Sequence, residues 1–304
     1  MADWSEILVE IQNSGGNFDT VRRKHLKFLH KNTGRNVIAY YSGWLQKQGA
    51  SNLGINDLDK NAFMTTIRGL DRKIGLDLLL HTPGGDIAAT ESIIDYLITM
   101  FDDIRVVVPQ LAMSGGTMIA CAANEILMGK HSSLGPIDPQ FMTSYGHVAA
   151  HGVLEEFEQA YKEIKSDQNK VFVWQPIIAK YTPTLIGECK KAMNWAESIV
   201  RERLSDRMLS GIEDREERDK KVREIIKEIG DHSVSLSHTR HLSRKRCVEI
   251  GLTIGLLEDN QILQDAVLSV HHAMMHTLEN TTAVKIVENH NELAYIQKAV
   301  IGNR

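Results

Sequence analysis

The sequence predicts an α/β protein with a parallel sheet that is covered by helices on both faces. Short, nearly continuous apolar runs such as "LDLLLH" and "IRVVVP" alternate with longer segments whose apolar residues recur at helical spacing. Unbroken apolar strands are typical of parallel sheets, because both of their faces are buried. Several of these runs also end in turns that contain glycine or proline, as buried strands do.

The elements follow one another as repeated strand and helix units. An amphipathic helix ends at Gly34 after a basic last turn, and "NVIAYYSGWL" follows as a strand. Asp86 is expected to cap the helix of "DIAATESIIDYLITM". The other predicted elements are a helix in "DLDKNAFMTTIRGL", strands in "LDLLLHTPGG" and "DIRVVVPQLAM", a helix in "GGTMIACAANE" and a short strand in "EILMGKHSSLG".

The pattern changes after Pro139. A strong helix is predicted after Thr182 and Pro183, in "YTPTLIGECKKAMNWAESIVRERL". The charge-dense segment 210–231 is predicted to be a solvated helix, although an adaptor surface is an alternative. Beyond residue 238, a short helix in "SRKRCVEIGL" and a later helix in "DAVLSVHHAMMHTLENT" are predicted, with "LTIGLLED" between them.

Composition limits the classes of function. A net charge of −4 over 304 residues gives no reason to expect nucleic acid or an anionic membrane as a partner. Cys121, Cys189 and Cys247 are too far apart in sequence for a metal-ligand pair or a disulfide framework. The amino-terminal residues are too polar for a signal peptide, and no apolar run reaches membrane-spanning length. We therefore predict a cytoplasmic protein without membrane insertion, metal or cofactor.

Two predicted strands end in the same kind of sequence, "HTPGGD" and "AMSGGT". Ligands of parallel α/β sheets bind beyond the carboxyl ends of strands, where glycine turns leave backbone amides free to donate. A serine hydroxyl beside such amides suits acyl transfer, because the hydroxyl attacks a carbonyl and the amides stabilise the developing oxyanion. Either turn alone is more often a simple connection, but the pair favours a catalytic site.

The segments "HTPGGDIAATESIIDYL" and "VVVPQLAMSGGTMIACAANEILMGKHSSLGPIDPQ" resemble the Clp protease/crotonase superfamily. More narrowly, together with "SHTRHLSRKRCVEIGL" and "LQDAVLSVHHAMMHT", they are similar to the serine dehydrogenase proteinase family, which is related to the signal-peptide-peptidase-like branch. The resemblance implies a spiral of ββα units, a serine nucleophile and a homo-oligomer. It divides the chain into an N-terminal helical segment (1–35), a catalytic core (36–204), a charged helical insertion (205–237) and a C-terminal part (238–304) that completes the core and carries a helical oligomerisation segment.

By position, the resemblance makes Ser114 the nucleophile and assigns the oxyanion hole to the amides of Gly84 or Gly85 and of Gly115. The histidine base of Clp-type enzymes falls near Asp138, so Asp138 is expected at most to orient a base. His131 lies earlier, in a predicted turn. A Ser-His-Asp arrangement is therefore not evident in the sequence.

The signal-peptide-peptidase-like branch uses a lysine base instead. Such a lysine must be neutral, which requires surroundings dry enough to lower its pKa from about 10.4 towards neutrality. On a helical wheel Lys190 lies nearer the apolar stripe than Lys191, so Lys190 is the predicted base. The alternatives left open are Lys180, Lys165, Lys162 and a histidine.

Other polar residues have structural explanations. Glu125, Asp138 and Gln140 are candidates for ordering the loop beside Ser114, and His238 is expected to serve structure or an interface. His272 and His276 have the spacing of a metal pair on a helix, but the neighbouring methionines indicate packing.

The leading hypothesis is a serine peptidase with a Ser114–Lys190 dyad that cleaves an extended peptide or protein substrate. One alternative is a catalytically inactive scaffold or binding protein on the same fold. Another is an acyl-CoA-handling enzyme, in which Ser114 would have no purpose. A buried Lys190 within reach of Ser114 would favour the peptidase, and an apolar, nucleotide-sized pocket beside Gly84 would favour the acyl-CoA enzyme.

Overall fold

The structure is a computed structural model that describes residues 3–143, 146–230 and 240–299. Its helices are α1 (Trp4–Asn13), α2 (Phe18–Thr33), α3 (Leu58–Ile67), α4 (Ile87–Met100), α5 (Gly115–Cys121), α6 (Ala150–Ser166), α7 (Val171–Ile178), α8 (Leu185–Arg203), α9 (Arg215–Gly230), α10 (Arg244–Glu249) and α11 (Gln261–Asn280). Its strands are β1 (Asn36–Ser42), β2 (Leu76–His81), β3 (Ile104–Val108), β4 (Leu111–Ala112), β5 (Glu125–Met128), β6 (Ser133–Leu134), β7 (Gln140–Thr143), β8 (Gly146–Ala149), β9 (Leu242–Ser243), β10 (Ile254–Leu256), β11 (Ala283–Asn289) and β12 (Ala294–Lys298).

The central sheet has the strand order β10-β5-β3-β2-β1-β11-β12. Strands β10, β5, β3, β2 and β1 are parallel, whereas β11 and β12 add antiparallel strands at one edge. The parallel part and its apolar strands confirm the predicted α/β fold. Strands β11 and β12 were not predicted, because the sequence between residues 283 and 298 carries charged and amide side chains inside an otherwise apolar pattern.

Both faces of the sheet are buried, as its unbroken apolar strands predict. Along β1, Ile38 and Tyr40 pack into one hydrophobic cluster, whereas Val37 and Tyr41 pack into the other. This alternation follows from the two-residue period of a strand. Residues of α3, α4, α5, α8 and α9 belong to the first cluster, and residues of α2 and α11 belong to the second.

Two helices are more buried than the sequence suggested. The charge-dense helix α9 inserts Val222, Ile225, Ile226 and Ile229 into the core, so only its other face is solvated. Helix α11 lies in the part expected to carry an oligomerisation segment, and it packs against α2 and the sheet within the same chain. In both cases the partners are distant in sequence, and local periodicity does not reveal them.

A smaller sheet of β4, β6 and β9 lies beside the carboxyl end of the central sheet. An isolated parallel bridge joins Thr82, just after β2, to Ala112 in β4. Two backbone bonds make this bridge: Thr82 N donates to Leu111 O at 3.1 Å, and Met113 N donates to Thr82 O at 2.9 Å. The ends of β2 and β4, and with them the two glycine turns, are therefore held side by side.

Candidate active site

Ser114 is the residue on which helix α5 begins. Its backbone has φ 50° and ψ −113°, a conformation that residues with a β-carbon rarely adopt. Backbone strain of this kind costs on the order of 1–3 kcal/mol and persists only where the surrounding structure enforces it. Here the bridge between Thr82 and Ala112 enforces it from one side and the buried helix α5 from the other.

Gly84 allows the first turn to approach Ser114 closely. It has φ +90°, and a β-carbon placed on it would lie 2.6 Å from Cβ of Ser114 and 2.8 Å from the nitrogen of Gly115. No side chain fits there, so both the backbone conformation and the contact require glycine. The "PGG" and "SGG" turns therefore form one continuous surface.

The amides of the three glycines differ in their hydrogen bonding. The Gly84 amide donates to Oγ1 of Thr82 at 3.2 Å. The amides of Gly85 and Gly115, by contrast, donate to no acceptor within the described residues. A β-carbon on Gly115 would lie 3.5 Å from the nitrogen of Gly85, which shows how close the two turns are at this point. Of the two alternatives for the first oxyanion donor, Gly85 has the free amide and Gly84 does not.

The segment 54–56 supports these turns from the opposite side. Ile55 forms a parallel bridge with Gly85: Ile55 N donates to Gly84 O at 2.7 Å, and Asp86 N donates to Ile55 O at 2.9 Å. In this pattern the Gly85 amide is left unbonded. We call the backbone surface made by residues 54–55, 84–86 and 114–115 the glycine wall.

The glycine wall forms one side of a cleft of about 930 Å³. The opposite side is formed by the β7–β8 hairpin and by one face of α8. We call four exposed side chains of this side the helical rim: His147 of the hairpin, and Glu188, Lys191 and Trp195 of α8. All four are exposed, and Lys191 pairs with Glu188 at 3.0 Å with 76% of its side chain exposed.

The structure does not bring Lys190 to this cleft. Lys190 is exposed and does not line the cavity, whereas its neighbour Lys191 does. Helix α8 buries Cys189, Ala196 and Val200, and the cleft lies along one flank of that apolar stripe. The flank of α8 that lines the cleft carries Glu188, Lys191 and Trp195, so the apolar stripe alone does not indicate which lysine lies at the cleft.

The remaining lysine alternatives lie elsewhere. Lys162 pairs with Glu158 at 2.6 Å, and Lys165 lies over the ring of Tyr161. Lys180 lines a second cavity of about 410 Å³ beside the β7–β8 hairpin. None of the three lines the cleft that contains Ser114.

The other predicted polar residues are placed as follows. Asp138 is buried between Ile137 and Pro139, both of which line the cleft, and Gln140 lines it directly. Glu125 is the first residue of β5 and so lies at the amino ends of the parallel strands, whereas Ser114 lies at their carboxyl ends. His131 lies in the turn after β5, as expected. His238 lies outside the described residues.

His81 and His276 are both buried. His81, the last residue of β2, is fully buried and packs against Trp44 of the cleft at 4.2 Å between ring centroids. Burial lowers the pKa of His81 to about 3, and the Leu111 carbonyl opposes this only in part. His276 faces the Trp4 carbonyl at 3.1 Å, in keeping with packing. Within the described part of the chain, no group of three or more His, Cys, Asp or Glu is suited to a metal ion.

Comparison with known proteins identifies the family of the chain. The sequence model of the family described as ClpP-like SDH-type serine proteinase matches residues 22–255, a span that includes both glycine turns and α8. The chain belongs to this family. The family description indicates a serine protease, and the fold described above is consistent with a ClpP-like one.

Two curated relatives come from Methanocaldococcus jannaschii, and both are uncharacterized. The protein MJ1495 is 30% identical over 197 residues, which are 65% of this chain and 58% of the relative. The protein MJ0137 is 33% identical over 149 residues, which are 49% of this chain and 46% of the relative. The chain thus spans about half the length of these relatives. No solved structure is significantly similar to it.

Among the helices of the described residues, none combines the length and the apolar character needed to cross a membrane.

Proposed function

We propose that this protein is a serine peptidase in which Ser114 is the nucleophile and the amides of Gly85 and Gly115 form the oxyanion hole. One observation carries the proposal. Ser114 is held in a strained conformation at the start of a helix, beside two backbone amides that donate to no described acceptor. A strained serine on a strand-to-helix turn, with free amides beside it, is the arrangement that acyl transfer requires.

In the proposed reaction, the Ser114 oxygen adds to the carbonyl carbon of the scissile peptide bond while a base takes the hydroxyl proton. The carbonyl oxygen becomes an oxyanion and accepts hydrogen bonds from the Gly85 and Gly115 amides. The C–N bond then breaks, and the amine leaves with the proton that the base returns. Water attacks the acyl-enzyme in the same way and releases the carboxylic acid product.

The base is the part of the prediction that we revise. A Ser–Lys dyad needs a neutral lysine in dry surroundings, but Lys190 is exposed outside the cleft and Lys191 is 76% exposed and paired with Glu188. An imidazole changes its charge near neutral pH without burial. We therefore propose that His147, which lines the same cleft, is the general base, with Lys191 as the alternative.

The proposed substrate is an extended peptide. The cleft has a volume of about 930 Å³, and the glycine wall presents mainly backbone to it. A homo-oligomer is also part of the proposal. Its support is the exposed apolar surface of α7, where Phe172 is 76% and Val173 is 63% exposed. Sedimentation analysis of the purified protein, compared with Phe172→Asp, tests the assembly.

The chemical proposal is tested by labelling with a fluorophosphonate probe, followed by peptide mass spectrometry and by cleavage of fluorescent casein. We expect the label on Ser114. Ser114→Ala should remove it and should lower proteolysis by at least about 1,000-fold. His147→Gln should slow labelling by about 100-fold or more, because general-base catalysis contributes that much.

Lys190→Gln and Lys191→Gln are matched variants that test whether a lysine of α8 is the general base. If Lys190→Gln slows labelling as strongly as we expect of His147→Gln, the predicted Ser–Lys dyad is right and the proposed histidine is wrong. At about pH 9 a lysine with a lowered pKa would also be neutral. If the wild-type protein shows no label at Ser114 up to that pH, the peptidase proposal fails and the scaffold alternative is favoured.

A further inference from the structure

A buried group of polar side chains adjoins the glycine wall without lining the cleft. We call it the Asp59 cluster; it consists of Tyr40 in β1, Asp59 in α3 and Lys285 in β11. Each of these side chains belongs to a residue that is at most 1% exposed. The three come from distant parts of the sequence, and their charged or hydroxyl groups meet within hydrogen-bond distance.

The Asp59 carboxylate is at the centre of this cluster. Lys285 Nζ donates to both of its oxygens, at 2.9 and 2.8 Å. The Tyr40 hydroxyl donates to Oδ2 at 2.8 Å, and the Asn56 backbone amide donates to the same oxygen at 3.0 Å. Lys285 Nζ also donates to the Gly54 carbonyl at 2.8 Å. The cluster thus binds the backbone of the segment 54–56 at both ends.

The segment 54–56 in turn holds both proposed oxyanion donors. Two hydrogen bonds of Ile55, from its amide to Gly84 O and from Asp86 N to its carbonyl, lie on either side of the Gly85 amide. Packing here is tight: a β-carbon on Gly85 would lie 2.2 Å from Ile55 N, and one on Gly115 would lie 3.3 Å from the side chain of Ile55. A shift of the segment would therefore move the Gly85 amide relative to the Gly115 amide.

Stability does not explain why these charges are buried. Removing an ammonium and a carboxylate from water costs several kcal/mol for each ion, and apolar residues of similar size often serve stability equally well. Burial lowers the pKa of Lys285, and the neighbouring Asp59 carboxylate opposes that shift. What apolar residues would not supply is the set of directed hydrogen bonds to Gly54 and Asn56.

We propose that Asp59 is a positioning residue: through Lys285 and Asn56 it keeps the segment 54–56 in register with Gly84–Asp86, and so aims the Gly85 amide at the substrate carbonyl oxygen. The inference rests on the function proposed above. Asp59 contacts no substrate and acts only through the backbone of the segment.

The experiment compares two buried tyrosines on the same strand. Tyr40 donates to Asp59, whereas Tyr41 lies on the opposite face of β1 with its hydroxyl 3.2 Å from Nδ1 of His271. Tyr40→Phe, Tyr41→Phe and Asp59→Asn are assayed by the rate of fluorophosphonate labelling at Ser114 and by kcat and KM for p-nitrophenyl acetate. Urea unfolding of each variant gives the accompanying change in stability.

We expect Tyr40→Phe to lower kcat by about 10-fold and Asp59→Asn to lower it by about 100-fold. Complete loss of one oxyanion donor lowers kcat by about 100- to 1,000-fold, and a misaligned donor should cause part of that loss. KM should change by less than about twofold. Tyr41→Phe should destabilise the protein as much as Tyr40→Phe does, yet change kcat by less than about twofold.

A purely structural role predicts that the two tyrosine variants lose kcat alike, and that result would overturn the inference. So would a Tyr40→Phe enzyme with unchanged kcat. If Asp59→Asn does not fold, Tyr40→Phe decides, since it leaves the ion pair intact. Absence of label on wild-type Ser114 contradicts the proposed function itself, whereas normal wild-type labelling with an unaffected Tyr40→Phe contradicts only the positioning role.

Discussion

The two sides of the cleft are built in opposite ways. The glycine wall is backbone, held by bridges at Ile55–Gly85 and Thr82–Ala112 and supported by groups that are almost completely buried. The helical rim is made of side chains on an exposed hairpin and helix, with Trp195 40% exposed and Lys191 76% exposed. The proposed oxyanion donors thus depend on the core, whereas the side chains of the helical rim depend on local helix and hairpin surfaces.

This difference predicts where substitutions matter. A change that disturbs the glycine wall should reduce both stability and chemistry, because the same buried contacts serve both. A change in the helical rim should alter substrate binding or proton transfer and leave the fold intact. The following predictions test this contrast, from the largest expected effect to the smallest.

The largest effect should come from Gly85→Ala. A β-carbon there would lie 2.2 Å from Ile55 N and 2.3 Å from Ile55 O, and neither backbone atom is able to move without breaking the bridge. We expect a loss of about 3 kcal/mol in the free energy of unfolding, typical of severe overpacking, and at least about 100-fold slower labelling of Ser114. Urea denaturation and labelling kinetics measure the two effects.

The matched control is Gly187→Ala in α8, where a β-carbon would meet no atom within 4 Å. Alanine stabilises a helix more than glycine does, so this variant should gain about 0.5–1 kcal/mol in the free energy of unfolding. Its Ser114 should be labelled at the wild-type rate. Unchanged labelling in Gly85→Ala would show that the glycine wall accommodates an added methyl group, and it would contradict the contrast between the glycine wall and the helical rim.

A second prediction concerns acid. His81 lies directly before the first glycine turn, and burial lowers its pKa to about 3. Below about pH 6.5 the unfolded chain binds a proton at His81 that the folded protein does not bind, so stability falls as the pH falls from 6.5 towards 3. Between pH 7.5 and 5.0 His81 should cost about 2 kcal/mol in the free energy of unfolding.

Urea unfolding at the two pH values tests this for the wild type, His81→Leu and His147→Gln. His81→Leu should lose about 2 kcal/mol less on acidification than the wild type does. His147 is exposed on the helical rim, and His147→Gln serves as the surface control. Equal acid sensitivity in the wild type and His81→Leu would show that other groups cause the loss.

The smallest effect is expected from the lysines of α8. Lys191 lines the cleft and pairs with Glu188, whereas Lys190 does not line it. Lys191→Gln should raise KM for casein by about threefold with kcat unchanged, since an exposed ion pair contributes little. Lys190→Gln should change neither constant by more than about 1.5-fold. A large loss of kcat in either variant would restore a lysine as the base.

Much of the fold and the central part of the candidate site could be predicted. The apolar runs of β2 and β3, the cap at Asp86 and the end of α2 at Gly34 all depend on interactions between near neighbours, and the structure confirms them. Ser114 and the glycines stood out because their local sequence is unusual for a strand-to-helix connection. Their catalytic roles stay predictions.

Three features could not be predicted because they depend on distant contacts. The Asp59–Lys285 pair joins residues far apart in sequence, and each residue alone is an ordinary charge in an amphipathic segment. His147 lies on a hairpin with weak sequence signals, and only the packing of that hairpin places it in the cleft. The choice between Lys190 and Lys191 required knowing which flank of α8 faces Ser114.

The alternation of strands and helices, the two glycine turns and the serine in the second turn follow from the sequence alone, because backbone preferences and hydrophobic periodicity act over a few residues. Three other features depend on tertiary contacts: which amide remains free, which side chains line the cleft and which buried charges adjoin the first turn. These depend on the bridge of Ile55 to Gly85 and on the packing of α8, and such contacts form only when segments distant in the chain meet in the folded core.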